Sequence, residues 1–209
     1  MRPFIVEKRF VFKGISGEHI ERGRIRRHTY IVLAYDRNRG EFLTEKELSQ
    51  TLLYRNYLSN NDVREVLKRA SMHLRRKWWH VERMRKEALA RYKVVWRDIA
   101  NEFVPAVDVE GVIPDHNVHY ITTNSPGEAY YLLAILLAPQ INAVVRELSP
   151  WVGHVQPRLI RYFKIPRYDP SNTIHKQLEE KGRAIHERGM VTSGDLKNIE
   201  TLIEQLAGY

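Results

Sequence analysis

The sequence predicts an α+β fold, with a strand-rich N-terminal and central region, a buried apolar helix pair and helices at the C-terminus. Three observations lead to this prediction. Strand-like and helical segments do not alternate as they would in a βαβ pattern. The stretch YYLLAILLA at 130–138 is apolar nearly all round, as a core helix is. Near the C-terminus, apolar residues recur at the spacing of a helix with one buried face.

The predicted strands are runs rich in β-branched and aromatic residues. They lie at 3–13, 24–35, 92–96, 102–109, 118–122 and 159–166. Turn residues follow the second run, and Pro166 ends the last one. The stretch SPWVGHVQPR at 149–158 is predicted to be irregular, because its Pro and Gly residues interrupt any regular pattern.

Capping residues predict the first two helices. Thr44 and Glu47 have the spacing of a capping box, so a helix should begin at residue 45. Asn61 can cap a second helix over 62–77, and one face of that helix should be buried. The face consists of Val63, Val66, Leu67, Ala70 and Leu74.

The central helix has the strongest start signal in the chain. Ser125 supplies a cap, Pro126 fits the first turn and Glu128 stands at the third position. Because the residues that follow are apolar nearly all round, this segment is predicted to be the core helix. Pro139 should kink or split it, since proline lacks the backbone N–H that a helix interior needs.

Two C-terminal helices are predicted at 172–188 and 195–207, and Gly189 should end the first of them. A stripe of apolar residues gives the second helix a buried face. The stripe consists of Leu196, Ile199, Leu202, Ile203 and Leu206. We therefore expect one main domain over 1–168 and a helical segment, 169–209, that packs on it.

The charge balance is the least ordinary property of the composition. The 34 Lys and Arg residues against 25 Asp and Glu give a net charge of +9. Such a surplus points to nucleic acid or to an anionic membrane surface, with a general compositional bias as the alternative. The sequence has no Cys, no signal-peptide pattern and no apolar run long enough to span a bilayer. We therefore predict a soluble, cytoplasmic protein without disulfides.

No catalytic motif is present in the sequence. It contains neither a phosphate-binding glycine loop nor a Gly-x-Ser-x-Gly turn. The closest grouping of carboxylate and histidine is PDHNVH at 114–119. A surface turn is favoured there over a metal site, because no second ligand cluster is evident. No catalytic residue, metal site or cofactor is therefore predicted within this chain.

Three basic clusters are better signals of function. Cluster one consists of Arg22, Arg24, Arg26 and Arg27. Cluster two consists of Arg75, Arg76, Lys77, Arg83, Arg85 and Lys86, which surround Trp78 and Trp79 in the sequence. Cluster three consists of Arg158, Arg161 and Lys164, close in sequence to Trp151 and His154. Lys and Arg neutralise phosphates, and Trp can stack on bases or wedge between base steps. The clusters are therefore predicted to bind DNA. For cluster two, the alternative is a helix end whose arginines are solvated and whose Trp side chains fill the core.

Six segments also follow one another in a recognisable order. They are GISGEHIERGRIRRHTYIVLAY, KWWHVERMR, YKVVWRDIANEFVPAVDVEGVIPDHNVHYIT, AYYLLAILLAPQINAVVREL, LIRYFKIPRYDP and the final ETLIEQLAGY. In order and spacing they resemble the C-terminal target-recognition region of N6-adenine DNA methyltransferases, the TaqI-type specificity domain. The resemblance covers nearly the whole chain. It implies that residues 1–168 recognise a sequence in double-stranded DNA.

The resemblance also shows what this chain lacks. The family's catalytic domain binds S-adenosylmethionine and carries an Asn/Asp-Pro-Pro-Tyr/Phe motif, and no such tetrapeptide occurs here. S-adenosylmethionine is therefore expected only on a separate catalytic domain or subunit, and this chain would be a fragment, a subunit or a relic. Trp96 and the segment SPWVGHVQPR depart from the family pattern. A methyltransferase that flips its target base needs a second lobe to hold the duplex, and a basic, non-catalytic lobe fits that role.

Two other functions remain open at this stage. The first is a stand-alone protein that binds RNA or DNA through the same basic surface. The second is a small metal-dependent nuclease that uses Asp98, Asp108, Asp115, His116 and His119. A protein that binds another partner, with an incidental charge surplus, is the remaining possibility.

Overall fold

The chain is seen in a computed structural model, which describes residues 4–71, 77–81, 84–100, 102–148 and 154–207. Helices and several small antiparallel sheets occur together, which confirms the predicted α+β fold. The strands are β1 (Val11–Ile15), β2 (Ile20–Glu21), β3 (Arg24–Ile25), β4 (Thr29–Val32), β5 (Tyr35–Asp36), β6 (Glu41–Phe42), β7 (Lys93–Arg97), β8 (Pro105–Asp108), β9 (Ile113–Pro114) and β10 (Val118–Thr122). The α-helices are α1 (Glu45–Ser49), α2 (Asn61–Ser71), α3 (Pro126–Leu137), α4 (Pro139–Leu148), α5 (Pro157–Ile160), α6 (Thr173–Arg188) and α7 (Ser193–Ala207). Short 3-10 helices lie at Lys8–Phe10, Gly17–His19 and Lys86–Leu89, and a π-helix lies at Tyr54–Leu58.

The chain forms two compact units, and each is discontinuous in sequence. Unit 1 comprises Met1–Gly14 and Thr29–Leu89, and unit 2 comprises Ile15–His28 and Ala90–Tyr209. The division therefore falls at positions other than the boundary expected near residue 168. The segment 169–209 belongs to unit 2 together with the core helix.

The strands of unit 1 form two small antiparallel pairs. β1 pairs with β4 from Val11 opposite Val32 to Gly14 opposite Thr29. β5 and β6 form a hairpin in which Tyr35 lies opposite Phe42. The prediction of one continuous strand over 24–35 was wrong. The run is divided among β3, β4 and β5 because the chain leaves unit 2 and enters unit 1 within it.

The core of unit 1 is built around a buried Trp and a set of aliphatic side chains. Its buried members are Phe10, Ala34, Leu43, Leu48, Leu53, Leu58 and Trp79. The predicted capping box of α1 is confirmed, since the Thr44 hydroxyl accepts from the Glu47 backbone N–H at 3.3 Å and the Glu47 carboxylate accepts from the Thr44 backbone N–H at 2.8 Å. Glu47 also pairs with Arg39 at 2.8 Å. Hydrogen bonds from Arg39 and Thr44 lower the pKa of Glu47 to about 2.

Helix α2 differs from its prediction in its cap and in its buried face. The side chain of Asn60, rather than that of Asn61, accepts from the backbone N–H groups of residues 62 and 63. Val63 and Leu67 pack against the unit 1 core. Val66 is 64% exposed, so the predicted face is wider than the real one. Ala70 is also exposed, and Leu74 lies outside the described residues.

Unit 2 is organised by the sheet β10–β7–β8 and by the core helix α3. The strands predicted at 92–96 and 118–122 are confirmed as β7 and β10, and β8 lies within the run predicted at 102–109. Ser125 caps α3 by accepting from the Glu128 backbone N–H at 3.1 Å. Nine α3 residues are buried, which confirms the core-helix prediction. The helix ends before Pro139, and α4 leaves it at an angle of 68°.

The C-terminal helices α6 and α7 pack in unit 2, and α6 makes its main contact with α3. Gly182 permits this approach, because a Cβ atom there would lie 2.0 Å from the Tyr130 carbonyl oxygen. Gly189 ends α6 in the left-handed conformation, with φ of 74°. The apolar stripe of α7 packs against the unit 2 core as predicted.

The strand predicted at 159–166 was wrong. Residues 157–160 form the short helix α5, and turns without strand pairing follow. Pro157 stands in the first turn of α5, where proline's missing N–H costs nothing. Periodicity does not separate a short apolar strand from a buried helical turn, so this proline was the better indicator.

No single helix in the described ranges is both long enough and apolar enough to cross a membrane. By length and composition alone, α3 and α4 together meet that criterion, but they are bent by 68°. Most of α3 is buried in the unit 2 core.

Candidate nucleic-acid interface

The net positive charge of the chain is concentrated in unit 1. Unit 1 has 17 Lys and Arg residues against nine Asp and Glu, a surplus of eight, when the sequence is divided at the unit boundaries. Unit 2 also has 17 Lys and Arg but 16 Asp and Glu, a surplus of one. The shorter unit therefore carries nearly all of the net charge of +9.

Cluster one lies in unit 2, where carboxylates face its arginines. Arg24 pairs with Glu21 at 2.8 Å, and Arg26 reaches the same carboxylate at 3.5 Å. Arg27 lies 3.5 Å from Glu18. The hydrogen bond from Arg24 lowers the pKa of Glu21. The two carboxylates offset part of the charge that the sequence assigns to this cluster.

Arg22 has a structural role in unit 2. Its Nη2 atom donates to the carbonyl oxygen of Leu137 at 3.3 Å, at the C-terminal end of α3. The last carbonyl groups of a helix have no partner within the helix, so this contact satisfies one of them.

Cluster three remains exposed in unit 2. Arg158, Arg161 and Lys164 lie on α5 and the turn that follows it, and none of them has an ion-pair partner among the described residues. His154 lies beside Asp98, with 3.4 Å between its Nδ1 and the carboxylate oxygen. Trp151 lies outside the described residues.

Cluster two belongs to unit 1 and is described only in part. Arg75, Arg76 and Arg83 lie outside the described residues. Lys77, Arg85 and Lys86 are exposed.

The two Trp side chains of cluster two anchor the segment. Trp79 is 7% exposed, and its Nε1 donates to the Leu43 carbonyl oxygen at 3.0 Å. Trp78 is half-buried and meets Trp79 edge to face, with 5.4 Å between ring centroids. Trp79 therefore fills the core, as one alternative reading of the Trp pair expected, and presents no face on which a base could stack.

A polar pocket of about 290 Å³ lies within unit 1, between α1, α2 and the Trp pair. Its charged lining groups are Lys46 from α1, Arg64 and Lys68 from α2, and one carboxylate, Glu45. Three cations against one carboxylate make the pocket positive. We call it the α1–α2 pocket.

Arg64 is held in place at the α1–α2 pocket by aromatic side chains. Its Nη2 donates to the Tyr54 hydroxyl at 3.0 Å, and its Cζ lies 5.4 Å from the centroid of a Trp78 ring. Its Nε is buried and has no hydrogen-bond partner in the described part of the chain. A guanidinium over an aromatic face is in a favourable arrangement, but a buried donor without an acceptor is costly.

The cations of the α1–α2 pocket were not among the predicted site residues, because they are not dense along the chain. Arg64 and Lys68 are four residues apart on a helix, so they share a face. Lys46 stands in the first turn of the other helix. The i,i+4 spacing was a usable signal within the predicted helix, whereas the approach of Lys46 depends on tertiary packing.

The acidic and histidine residues considered for a nuclease are only partly brought together. Asp98 lies 3.0 Å from His119 and also beside His154. Asp108 is buried in a different role, because it pairs with Lys93 at 2.7 Å and accepts from the Val112 backbone N–H at 2.9 Å. Across the described ranges, no group of three His, Asp or Glu residues could hold a metal ion.

The Lys93–Asp108 pair serves the fold of unit 2. Both side chains are almost fully buried, at 0% and 1% exposed. Burial lowers the pKa of Lys93, and the nearby Asp108 charge opposes that shift. Asp108 also closes the turn to β9 through backbone N–H groups of residues 110 and 111. The pair therefore ties β7 to the end of β8.

No model of a known protein family matches this chain, and no curated protein has a significantly similar sequence. A function must therefore be inferred from the charge distribution, the geometry of the side chains and the order of the sequence segments.

Proposed function

We propose that this chain binds double-stranded DNA and that unit 1 supplies most of the phosphate contacts. It would serve as the specificity part of an adenine-N6 DNA methyltransferase or of a restriction-modification system. Methyl transfer and S-adenosylmethionine binding would belong to a separate catalytic domain or subunit. The observation that carries the proposal is the concentration of the net positive charge in unit 1.

Exposed cations of unit 1 supply the electrostatic part of binding. The described ones without a carboxylate partner include Lys8, Lys46, Lys77 and Arg85. Each phosphate that such a side chain neutralises adds roughly 0.9 to the salt dependence of duplex binding. Phosphate contacts of this kind position a protein on DNA without reading its sequence.

The aromatic residues of unit 1 favour a duplex over a single strand as the ligand. Proteins that bind single strands stack successive bases on exposed aromatic rings. Trp79 is buried and Trp78 is half-buried, and Tyr30, at 70% exposed, is the one exposed aromatic side chain in the described part of unit 1. A row of stacking platforms is therefore absent from that part of the surface.

Base readout is proposed for cluster three in unit 2. Arg158 and Arg161 are exposed and free of carboxylate partners among the described residues. Arg reads guanine through two hydrogen bonds in the major groove, which is the commonest specific contact. The resemblance to the specificity domain of adenine methyltransferases supports sequence recognition by this chain. A cytoplasmic location is part of the same proposal, and the absence of Cys supports it.

The proposal is tested by selection from a random duplex pool at near-physiological salt, with sequencing of the bound fraction. We expect a short enriched motif that contains an adenine. Salt-sensitive binding without a motif would leave phosphate contacts only, and would contradict the role in specificity.

Competition separates the remaining functions. Single-stranded DNA and structured RNA are offered against the selected duplex, and we expect the duplex to be retained. Preference for RNA would favour the stand-alone RNA-binding protein. Cleavage of plasmid DNA that a chelator abolishes would favour the metal-dependent nuclease.

A further inference from the structure

We propose that the α1–α2 pocket of unit 1 binds a phosphate group, through Lys46, Arg64 and Lys68. The phosphate belongs to a DNA backbone, in which case this inference rests on the proposed function, or to a free nucleotide or polyphosphate. The chemistry of recognition is the same for both sources.

The donor set of the pocket fits a phosphate group. Arg64 offers a planar guanidinium and Lys46 and Lys68 offer ammonium groups, which are the side chains that bind phosphate oxygens most strongly. The pocket volume of about 290 Å³ is just below the roughly 300–1,000 Å³ typical of ligand sites. A phosphate with part of its nucleotide fits that space.

The guanidinium of Arg64 is held at the pocket by two contacts. The Tyr54 hydroxyl accepts from Nη2, so one edge of the guanidinium is already satisfied. The Nε atom is buried and has no partner among the described residues. An arginine held by an aromatic ring and a hydroxyl is preorganised, which reduces the ordering cost when an anion arrives.

The neighbouring ion pairs leave the pocket positive. Lys68 also contacts Glu65 at 3.1 Å, but both side chains are about half exposed, so this pair is weak. Lys46 is exposed and has no ion-pair partner in the described ranges. Glu45 is therefore the single carboxylate among the described lining residues, against three cations.

The experiment compares two double variants of the full chain that lose the same charge. The pocket variant is Lys46→Met with Arg64→Met, and the control is Arg55→Met with Arg69→Met, two exposed cations of unit 1 outside the pocket. Calorimetry with inorganic pyrophosphate at low ionic strength forms one arm. The salt dependence of affinity for a short duplex forms the other.

We expect the pocket variant to bind pyrophosphate about tenfold more weakly than wild type, because two charge-assisted contacts are lost. The control should change by roughly twofold at most, since only screened surface charge is removed. In the duplex arm, the pocket variant should lose about one more unit of salt slope than the control. The single variants Lys46→Met and Arg64→Lys test whether weaker binding comes from the lost contacts and not from unfolding. Their thermal unfolding midpoints should match that of the wild type.

The outcomes separate the pocket from the proposed function. Pyrophosphate binding that depends on the pocket, without duplex binding, keeps the pocket for a free phosphate compound and overturns DNA as the source. Pocket-dependent duplex binding without pyrophosphate binding assigns the phosphate to the DNA backbone. Equal behaviour of the pocket and control variants in both arms would falsify the pocket proposal, even where the duplex itself is bound.

Discussion

The indole N–H of Trp79 donates to the carbonyl oxygen of Leu43 across 3.0 Å, and this contact ties the most basic stretch of the sequence to the core of unit 1. The Trp pair and the described cations of this stretch therefore differ in their surroundings. The Trp pair fixes the position of the segment, while exposed cations such as Lys77 and Arg85 remain in solvent.

Replacing Trp79 by Phe should destabilise the protein by about 2–4 kcal/mol, because it leaves the Leu43 carbonyl without its donor and opens space in the core. Urea unfolding of the full chain measures the change. Trp78→Phe is the matched control, since this side chain is half-buried. Equal losses for the two variants would contradict the anchoring role of Trp79.

Replacing Lys77 and Arg85 together by Ala should weaken duplex binding and lower its salt slope by about one to two units. Arg24→Ala with Arg26→Ala should lower it less, because both arginines face Glu21. Affinity is measured at several salt concentrations. A larger effect from the Arg24 and Arg26 variant would assign the main phosphate contacts to cluster one and contradict the role of unit 1.

Replacing Gly182 by Ala should destabilise the chain by more than about 2 kcal/mol. The new Cβ would overlap the Tyr130 carbonyl oxygen, at 2.0 Å, and separate α6 from α3. Gly194→Ala is the control, because the nearest atom to its Cβ is 3.7 Å away. Thermal unfolding should show a large decrease in midpoint for the first variant and little change for the second.

Replacing Leu133 or Leu136 by Ala should cost about 2–5 kcal/mol, since both side chains are fully buried in α3. Leu148→Ala on α4 should cost much less, because that side chain is 42% exposed. Denaturant unfolding compares the three variants. A similar loss for Leu148→Ala would mean that α4 is more deeply packed than the structure shows.

The stability of unit 2 should fall in acid through Glu179. Its carboxylate is 4% exposed, and hydrogen bonds from Lys176, Tyr168 and Arg183 outweigh the opposing effect of burial and lower its pKa to about 2. Because the folded pKa is below the unfolded value of about 4.3, the contribution is present above pH 4.3 and is lost as pH falls towards 2. It is of the order of 2–3 kcal/mol.

The measurement is thermal unfolding between pH 6 and pH 2, with Glu179→Gln as the comparison. The variant should show a flatter decline than wild type in the window from about pH 4.5 to about pH 2. The same variant should bring the pKa of Tyr168 down from about 12, because the Glu179 carboxylate is one of the groups that raise it. Parallel pH profiles would show that Glu179 does not titrate in the folded protein as proposed.

Local side-chain signals in the sequence predicted a large part of the fold. The cap at Ser125, the capping box at Thr44 and the left-handed Gly189 each specify an element end through contacts within a few residues. The extent of burial was harder to predict for α2. Val66 has helical spacing but is exposed, because the packing of distant elements decides how wide a buried face is.

The candidate site was only partly predictable for the same reason. The basic stretch around Trp78 is visible along the chain, whereas the approach of Lys46 to Arg64 depends on the packing of α1 against α2. The salt bridges of cluster one were also hidden, since counting arginines does not show that Glu21 faces two of them. The unequal net charge of the two units was also hidden in the sequence, because only tertiary contacts show which residues belong to which unit.

Residues 15–28 belong to unit 2 but lie in sequence between the two segments of unit 1, and this order has a consequence for folding during synthesis. A growing chain holds all of unit 1 once residue 89 has emerged from the ribosome, so unit 1 can begin to fold at that point. β2 and β3 can take their final packing only later, because β8, which they contact, is synthesised after them. A truncation after residue 89 would leave the β2–β3 pair without β8 and α6, against which it packs. A fragment that starts at residue 90 would lack this pair.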